Sequence, residues 1–116
     1  MIQIKRVYEK PAKSDGWRVL VDRLWPRGVK KEAAKADVWM KEIAPSDALR
    51  KSYCHEIDKW PEFQKRYHAE LAKKKELLAE LQKMEQVHGT VTLLFGSKDE
   101  EHNQAAVLAE VLRKRK

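Results

Sequence analysis

Apolar residues along this chain follow two rhythms. Ile2, Ile4 and the Val7-Tyr8 pair alternate with Gln3, Lys5 and Arg6, the period-2 pattern of a half-buried strand. A loop with turn chemistry follows, Lys10-Pro11-Ala12-Lys13-Ser14-Asp15-Gly16. Residues 17–24 read as a second strand. The connection is too short for a crossover helix, so the pattern predicts that these two strands are antiparallel or lie apart in the sheet. Thr90-Val91-Thr92-Leu93-Leu94-Phe95 is apolar almost throughout, as central strands are.

The helical rhythm dominates the middle. Residues 30–36 predict a short helix, and 37–43 read as a strand stopped by Ala44-Pro45. Ser46 suits an N-cap, with Asp47 favouring the helix dipole. That helix is expected to turn Leu49, Tyr53 and Cys54 inward. Pro61 fits the first turn of the next helix, with Asp58 just ahead. Phe63, Tyr67 and Leu71 recur every four residues, and Leu78 and Leu81 continue the face. A continuous helix over 61–88 would run ~40 Å at 1.5 Å per residue. That is long for so small a domain, and Lys74 stands where an apolar residue belongs, so a break is predicted near Lys73–Lys75. Gly89 fits a left-handed helix end. A last helix is predicted over 100–114, with Ala105, Leu108 and Leu112 on one face and Val107 and Val111 beside them.

The alternation of elements predicts an α/β fold: one domain over 1–116, with about four strands flanked by about five helices. The length of 116 residues leaves no room for a second core. One cysteine, Cys54, excludes a disulfide framework and points to a reducing cytoplasm. No stretch approaches the ~18 apolar residues of a membrane helix, and the first residues lack a secretion signal. A cytoplasmic protein away from the membrane is expected. The net charge of +7 invites a nucleic-acid reading, but the runs Lys73-Lys74-Lys75 and Arg113-Lys114-Arg115-Lys116 account for all of it. A charge confined to a helix surface and a terminus speaks first to solubility.

Chemistry concentrates in two segments. Asp22-Arg23-Leu24-Trp25-Pro26-Arg27-Gly28 follows a strand directly, where open α/β sheets place their ligands, and a plain turn does not need its arginines. Ser97-Lys98-Asp99-Glu100-Glu101-His102-Asn103 also joins a strand to a helix. If both strands run the same way, both loops open on one edge of the sheet. Arg23, Arg27, Gly28, Ser97, Lys98 and the last helix N-terminus would then hold an anion, with Trp25 stacking on the ligand or walling it. Asp22, Asp99 and His102 are the candidate acid–base groups, and Asn103 a hydrogen-bonding one. Each has a plainer role open to it: Asp99 as a helix cap, Trp25 as a core aromatic, His102 as a surface residue. Cys54 and His55 are sequence neighbours and point apart on a helix. Trp60 stands where a Cys-x5-Arg phosphatase loop would need arginine. No metal-ligand spacing and no glycine-rich nucleotide fingerprint occurs, so neither metal nor cofactor is expected.

Val19-Leu20-Val21-Asp22-Arg23-Leu24-Trp25-Pro26-Arg27-Gly28 resembles the signature segment of the small bacterial YeaO-like proteins, domain-of-unknown-function family 488. Further similarities follow in order: Asp37 with Trp39, Ala44-Pro45-Ser46 with Leu49-Arg50, His55, and Trp60 with Phe63, Tyr67, Glu70 and Leu71. Gly89-x-Val91-Thr92-Leu93-Leu94, Asp99 and His102-Asn103 complete them. The resemblance implies a compact α/β fold and no particular cofactor or mechanism. The expected function is binding of a small anionic ligand carrying phosphate or carboxylate, with hydrolysis or group transfer as the reaction class if there is turnover. The rivals are a nucleic-acid accessory role through the basic runs, and a structural module whose arginines pair with Asp22, Asp37 and Asp99.

Overall fold

A computed structural model describes residues 1–54 and 56–115. Four strands form one sheet: β1 (Ile2–Arg6), β2 (Trp17–Leu20), β3 (Val38–Trp39) and β4 (Val91–Phe95). Their order is β1-β4-β2-β3 and every pairing is parallel. The apolar run of β4 thus lies at the centre, buried at every position. It also separates β1 from β2, so the first two strands lie apart, joined by a short segment that crosses the sheet without an α-helix.

The two faces of the sheet are covered differently. On one, Val19, Val21, Leu93 and Phe95 pack under α2 (Asp47–Tyr53), α3 (Trp60–Ala72), α4 (Lys75–His88) and α5 (Gln104–Lys114). On the other, Leu20 and Leu94 meet Val7, Ala34 and half-buried Trp25. This face is roofed by the 7–16 connection and by 22–36, which includes α1 (Lys31–Ala34). Such a roof is largely backbone and needs polar partners. Arg18 and Thr92, both buried, supply them. The Arg18 guanidinium bonds Asp15 and the Ala34 carbonyl, and the Thr92 hydroxyl donates to the Asp15 carbonyl at 2.6 Å.

The helix ends follow their caps. Ser46 accepts from the Leu49 N–H and starts α2. Pro61 sits in the first turn of α3. The break predicted near Lys73–Lys75 separates α3 from α4, and there the Lys74 ammonium reaches back to the Ala44 carbonyl at 3.0 Å. Lys74 replaces an apolar residue because it ties the break to the chain ahead of α2. Gly89 closes α4 with φ 82°.

Two strands, and one side chain at the end of α2, differ from expectation. β2 ends at Leu20 rather than residue 24, because its last sheet bond is Val21 N–H to Leu94 carbonyl and the chain then turns away. The expected 37–43 strand shortens to two residues followed by a 3-10 turn over Lys41–Ile43. Cys54 is exposed rather than inward, since it occupies the left-handed end of α2 with φ 44°.

Candidate functional site

β2 and β4 are neighbours, yet the chain leaves them toward opposite faces. After β2 it feeds the Trp25–Ala34 roof, and after β4 it feeds α5 on the helical face. Such a divergence opens a crevice beyond the carboxyl ends of the strands. The crevice here is a cavity of about 470 Å³. Both sequence loops reach it: Asp22, Arg23, Trp25 and Arg27 from one, Ser97, His102 and Asn103 from the other. The expected convergence is therefore present in the fold.

Asp22 joins the loops. One carboxylate oxygen accepts from the Gly96 N–H at 2.9 Å and the other from the Gln104 amide at 2.5 Å. Burial pushes its pKa up to about 6, against the two hydrogen bonds that pull it down. A side chain at position 96 would place its Cβ 2.7 Å from that carboxylate and force it to shift, so glycine suits the close approach.

The two arginines have different duties. Arg23 donates from Nε to the Pro45 carbonyl at 2.9 Å and from Nη2 to the Ala44 carbonyl at 3.1 Å. It anchors the segment ahead of α2 while lining the cavity. Arg27 is exposed, and its guanidinium has no partner among the described residues; only its carbonyl is engaged, by the Tyr8 hydroxyl at 2.9 Å. Neither arginine pairs with Asp22, Asp37 or Asp99. Asp37 instead accepts from the Arg18 N–H at 2.8 Å, and Asp99 faces His102.

Trp25 is held as a wall. Its indole N–H donates to the Val29 carbonyl at 2.6 Å and its ring meets Trp39 edge-on at 5.3 Å. His102 has its Nδ1 3.0 Å from Asp99 and its ring edge-on to Trp60 at 5.2 Å. Asp99 accepts from the Glu101 and His102 N–H groups, which hold its carboxyl below the usual range. That turn uses up residues 100–103, so α5 begins at Gln104 rather than at 100. Asn103, not Asp99, is the cap: it accepts from the Ala106 N–H at 2.9 Å and donates to the Asp99 carbonyl at 2.9 Å. Its side chain is thus spent inside the fold. Ser97 accepts from the Asp99 N–H at 3.1 Å. Gly28, Lys98 and Asp99 lie outside the cavity lining; Gly28 makes its turn with φ 78°.

Sequence reasoning missed Arg50, Tyr8, Tyr53, Phe63 and Gln104, which also line the cavity. Helical periodicity assigned Tyr53 and Phe63 to the core, and both are buried there while showing an edge to the cavity. Arg50 was visible only beside Leu49 in the family resemblance. Three arginines and one carboxylate therefore line the cavity, and Arg50 also pairs with Asp47 at 3.3 Å. Among the described residues no three His, Cys, Asp or Glu side chains gather as a metal would need. Four cations of the basic runs are engaged within the chain: Lys74 on the Ala44 carbonyl, Arg113 on the Ile2 carbonyl, Lys114 on Glu110 and Arg115 on Gln82. His55 and Lys116, named in the sequence reading, lie outside the described residues. No helix is long and apolar enough to cross a membrane among those residues.

Fold and site together define a small parallel α/β protein with a cation-lined cavity at the carboxyl edge of its sheet. The chain belongs to the family described as the inactive DUF488-N3 subclade, whose model matches residues 1–116. It is 45% identical over 115 residues to the uncharacterized protein YeaO of Escherichia coli, an alignment covering 97% of this chain and 96% of that protein. It is 40% identical over 111 residues to an uncharacterized protein of Mycobacterium tuberculosis, covering 96% and 92%. No solved structure matches it significantly.

Proposed function

We propose that the protein binds a small anion, carrying phosphate or carboxylate, in the cavity between β2 and β4, and that it acts in the cytoplasm. The observation that carries this reading is the charge of the lining: Arg23, Arg27 and Arg50 with Asp22 as the one carboxylate among the lining residues, Arg50 alone being paired, with Asp47 at 3.3 Å outside the lining. Guanidinium groups suit planar or tetrahedral oxyanions because they donate two parallel hydrogen bonds. Arg27 supports the reading best, being a cation without a partner among the described residues at the mouth of a concave site. The N-terminal end of α5, at Asn103 and Gln104, adds a favourable dipole. Binding without turnover is the form we favour, in keeping with a family described as inactive. Asp99 and His102 then serve to fix the loop.

The test is thermal unfolding of the wild type and Arg27→Ala with phosphate, pyrophosphate, ribose 5-phosphate and citrate. An anion at ~100 times its dissociation constant adds about 2.7 kcal/mol of stability. A rise in Tm for at least one anion, absent in Arg27→Ala, supports the reading. No rise with any of them, or equal rises in both proteins, overturns it.

A further inference from the structure

The cavity holds more than an anion needs. At about 470 Å³ it lies in the range of sites that take a whole small molecule, roughly 300–1,000 Å³, and a bare phosphate would leave most of it empty. Its remaining walls include four aromatic side chains: Trp25, Tyr53, Phe63 and, at the rim, Tyr8. These rings are fixed. The Tyr53 and Phe63 centroids lie 4.7 Å apart, and Trp25 is pinned by Val29 and Trp39. A rigid aromatic corner loses little entropy on binding a flat ring. Beside it lies Gln104, whose amide nitrogen is given to Asp22 while its carbonyl oxygen has no partner among the described residues. That oxygen can accept from a ring amino or imino group.

We propose that the ligand is a nucleotide: its phosphate lies on the arginines, its base lies against the aromatic walls, and Gln104 meets the edge of the base. The inference rests on the anion reading above and specifies it. The same chemistry is offered by a free nucleoside 5′-monophosphate and by the 5′-phosphorylated end of an oligonucleotide.

Calorimetric titration separates the possibilities. The probes are the four common ribonucleoside 5′-monophosphates, the four nucleosides, ribose 5-phosphate, and a 5′-phosphorylated mixed-sequence hexanucleotide. At least one nucleotide, or the hexanucleotide, is expected to bind tenfold or more tightly than ribose 5-phosphate and than any nucleoside. Trp25→Leu should remove most of that advantage, bringing the nucleotide's affinity down toward that of ribose 5-phosphate measured on the same variant. Tyr8→Leu, at an exposed rim position, should weaken the nucleotide in a fold that circular dichroism shows intact. A mononucleotide binding as tightly as the hexanucleotide identifies the free molecule, and a tighter hexanucleotide identifies a strand end; both support the proposal. Ribose 5-phosphate matching every nucleotide overturns it while the anion reading stands. Nucleosides matching nucleotides overturn it, and so does no binding by any phosphate; no binding by any phosphate or by citrate, added as a further probe, overturns both readings.

Discussion

The carboxylate of Asp22 accepts a hydrogen bond from the backbone N–H of Gly96 at 2.9 Å, which links the ends of two neighbouring parallel strands. The bond spans 74 residues of sequence and closes the floor of the cavity. Its acceptor is a buried carboxylate that burial has made reluctant to ionise, so the link should be sensitive to pH.

The sign of that sensitivity follows from the folded pKa of about 6, above the ordinary 3.8. The folded protein holds the proton more tightly than the unfolded chain, so the stability it contributes is full below pH 3.8 and lost as pH rises through about 6. The whole effect is on the order of 2–3 kcal/mol. Asn at position 22 can still accept from Gly96 and carries no charge to desolvate. Asp22→Asn is therefore expected to match the wild type near the acid end of this window. Above it, the variant should be the more stable by roughly that amount. Urea denaturation of both proteins at the two ends of the window checks this, and a constant difference between them contradicts it.

Gly96→Ala should break the same link from the other side. A Cβ 2.7 Å from the Asp22 carboxylate must displace it, while Pro26 at 3.5 Å is in ordinary contact. The expected cost is ~1–3 kcal/mol, as for other overpacked sites. Denaturation by urea measures it, and a neutral effect would show that the loop gives way freely.

Arg23 and Arg27 should separate cleanly. Arg23→Ala strips a donor from each of the carbonyls of buried Pro45 and Ala44, the latter keeping Lys74, and is expected to cost ~1.5–3 kcal/mol. Arg27→Ala touches an exposed guanidinium and should stay within ~0.5 kcal/mol. Equal losses of stability in the two variants would mean that Arg27 is structural.

Much of this architecture was legible in the residues, for identifiable reasons. The run at 91–95, apolar but for Thr92, reads as a central strand, and β4 is one. Lys74 interrupting an apolar face marked the helix break. What could not be read was strand order, because the β1–β2 connection crosses the sheet as a polar roof instead of a helix. The clue was present in Arg18 and Thr92, charged and polar residues on strands otherwise apolar. Such residues become meaningful only when the carbonyls above them are known. The α5 boundary was missed because Asp99 and Asn103 are both competent caps, and local sequence does not say which one the helix uses. At the site, the arginines of the 22–28 segment stood out because no turn needs them. Tyr53 and Phe63 did not, because an aromatic that serves the core and shows one edge to a cavity has the same spacing as one that serves only the core.

The roof itself should depend on one ion pair. Arg18 and Asp15 are both buried, and Lys5 adds a second contact to Asp15 at 3.1 Å. Asp15→Ala leaves the Arg18 charge buried beneath the roof and is expected to cost ~3–5 kcal/mol. The loss should be read by denaturation, with Asp15→Ala/Arg18→Met recovering part of it. A double variant no more stable than Asp15→Ala would place the stabilisation outside the pair.

The most direct test of an anion site between β2 and β4 is crystallographic. Tungstate is a heavy analogue of phosphate, and its anomalous signal locates it without bias from the protein. Crystals soaked in tungstate are expected to show a peak inside the cavity, within hydrogen-bond reach of Arg27 and of Arg23 or Arg50. Peaks confined to Lys73–Lys75 or the basic tail, or no peak at all, would contradict the account.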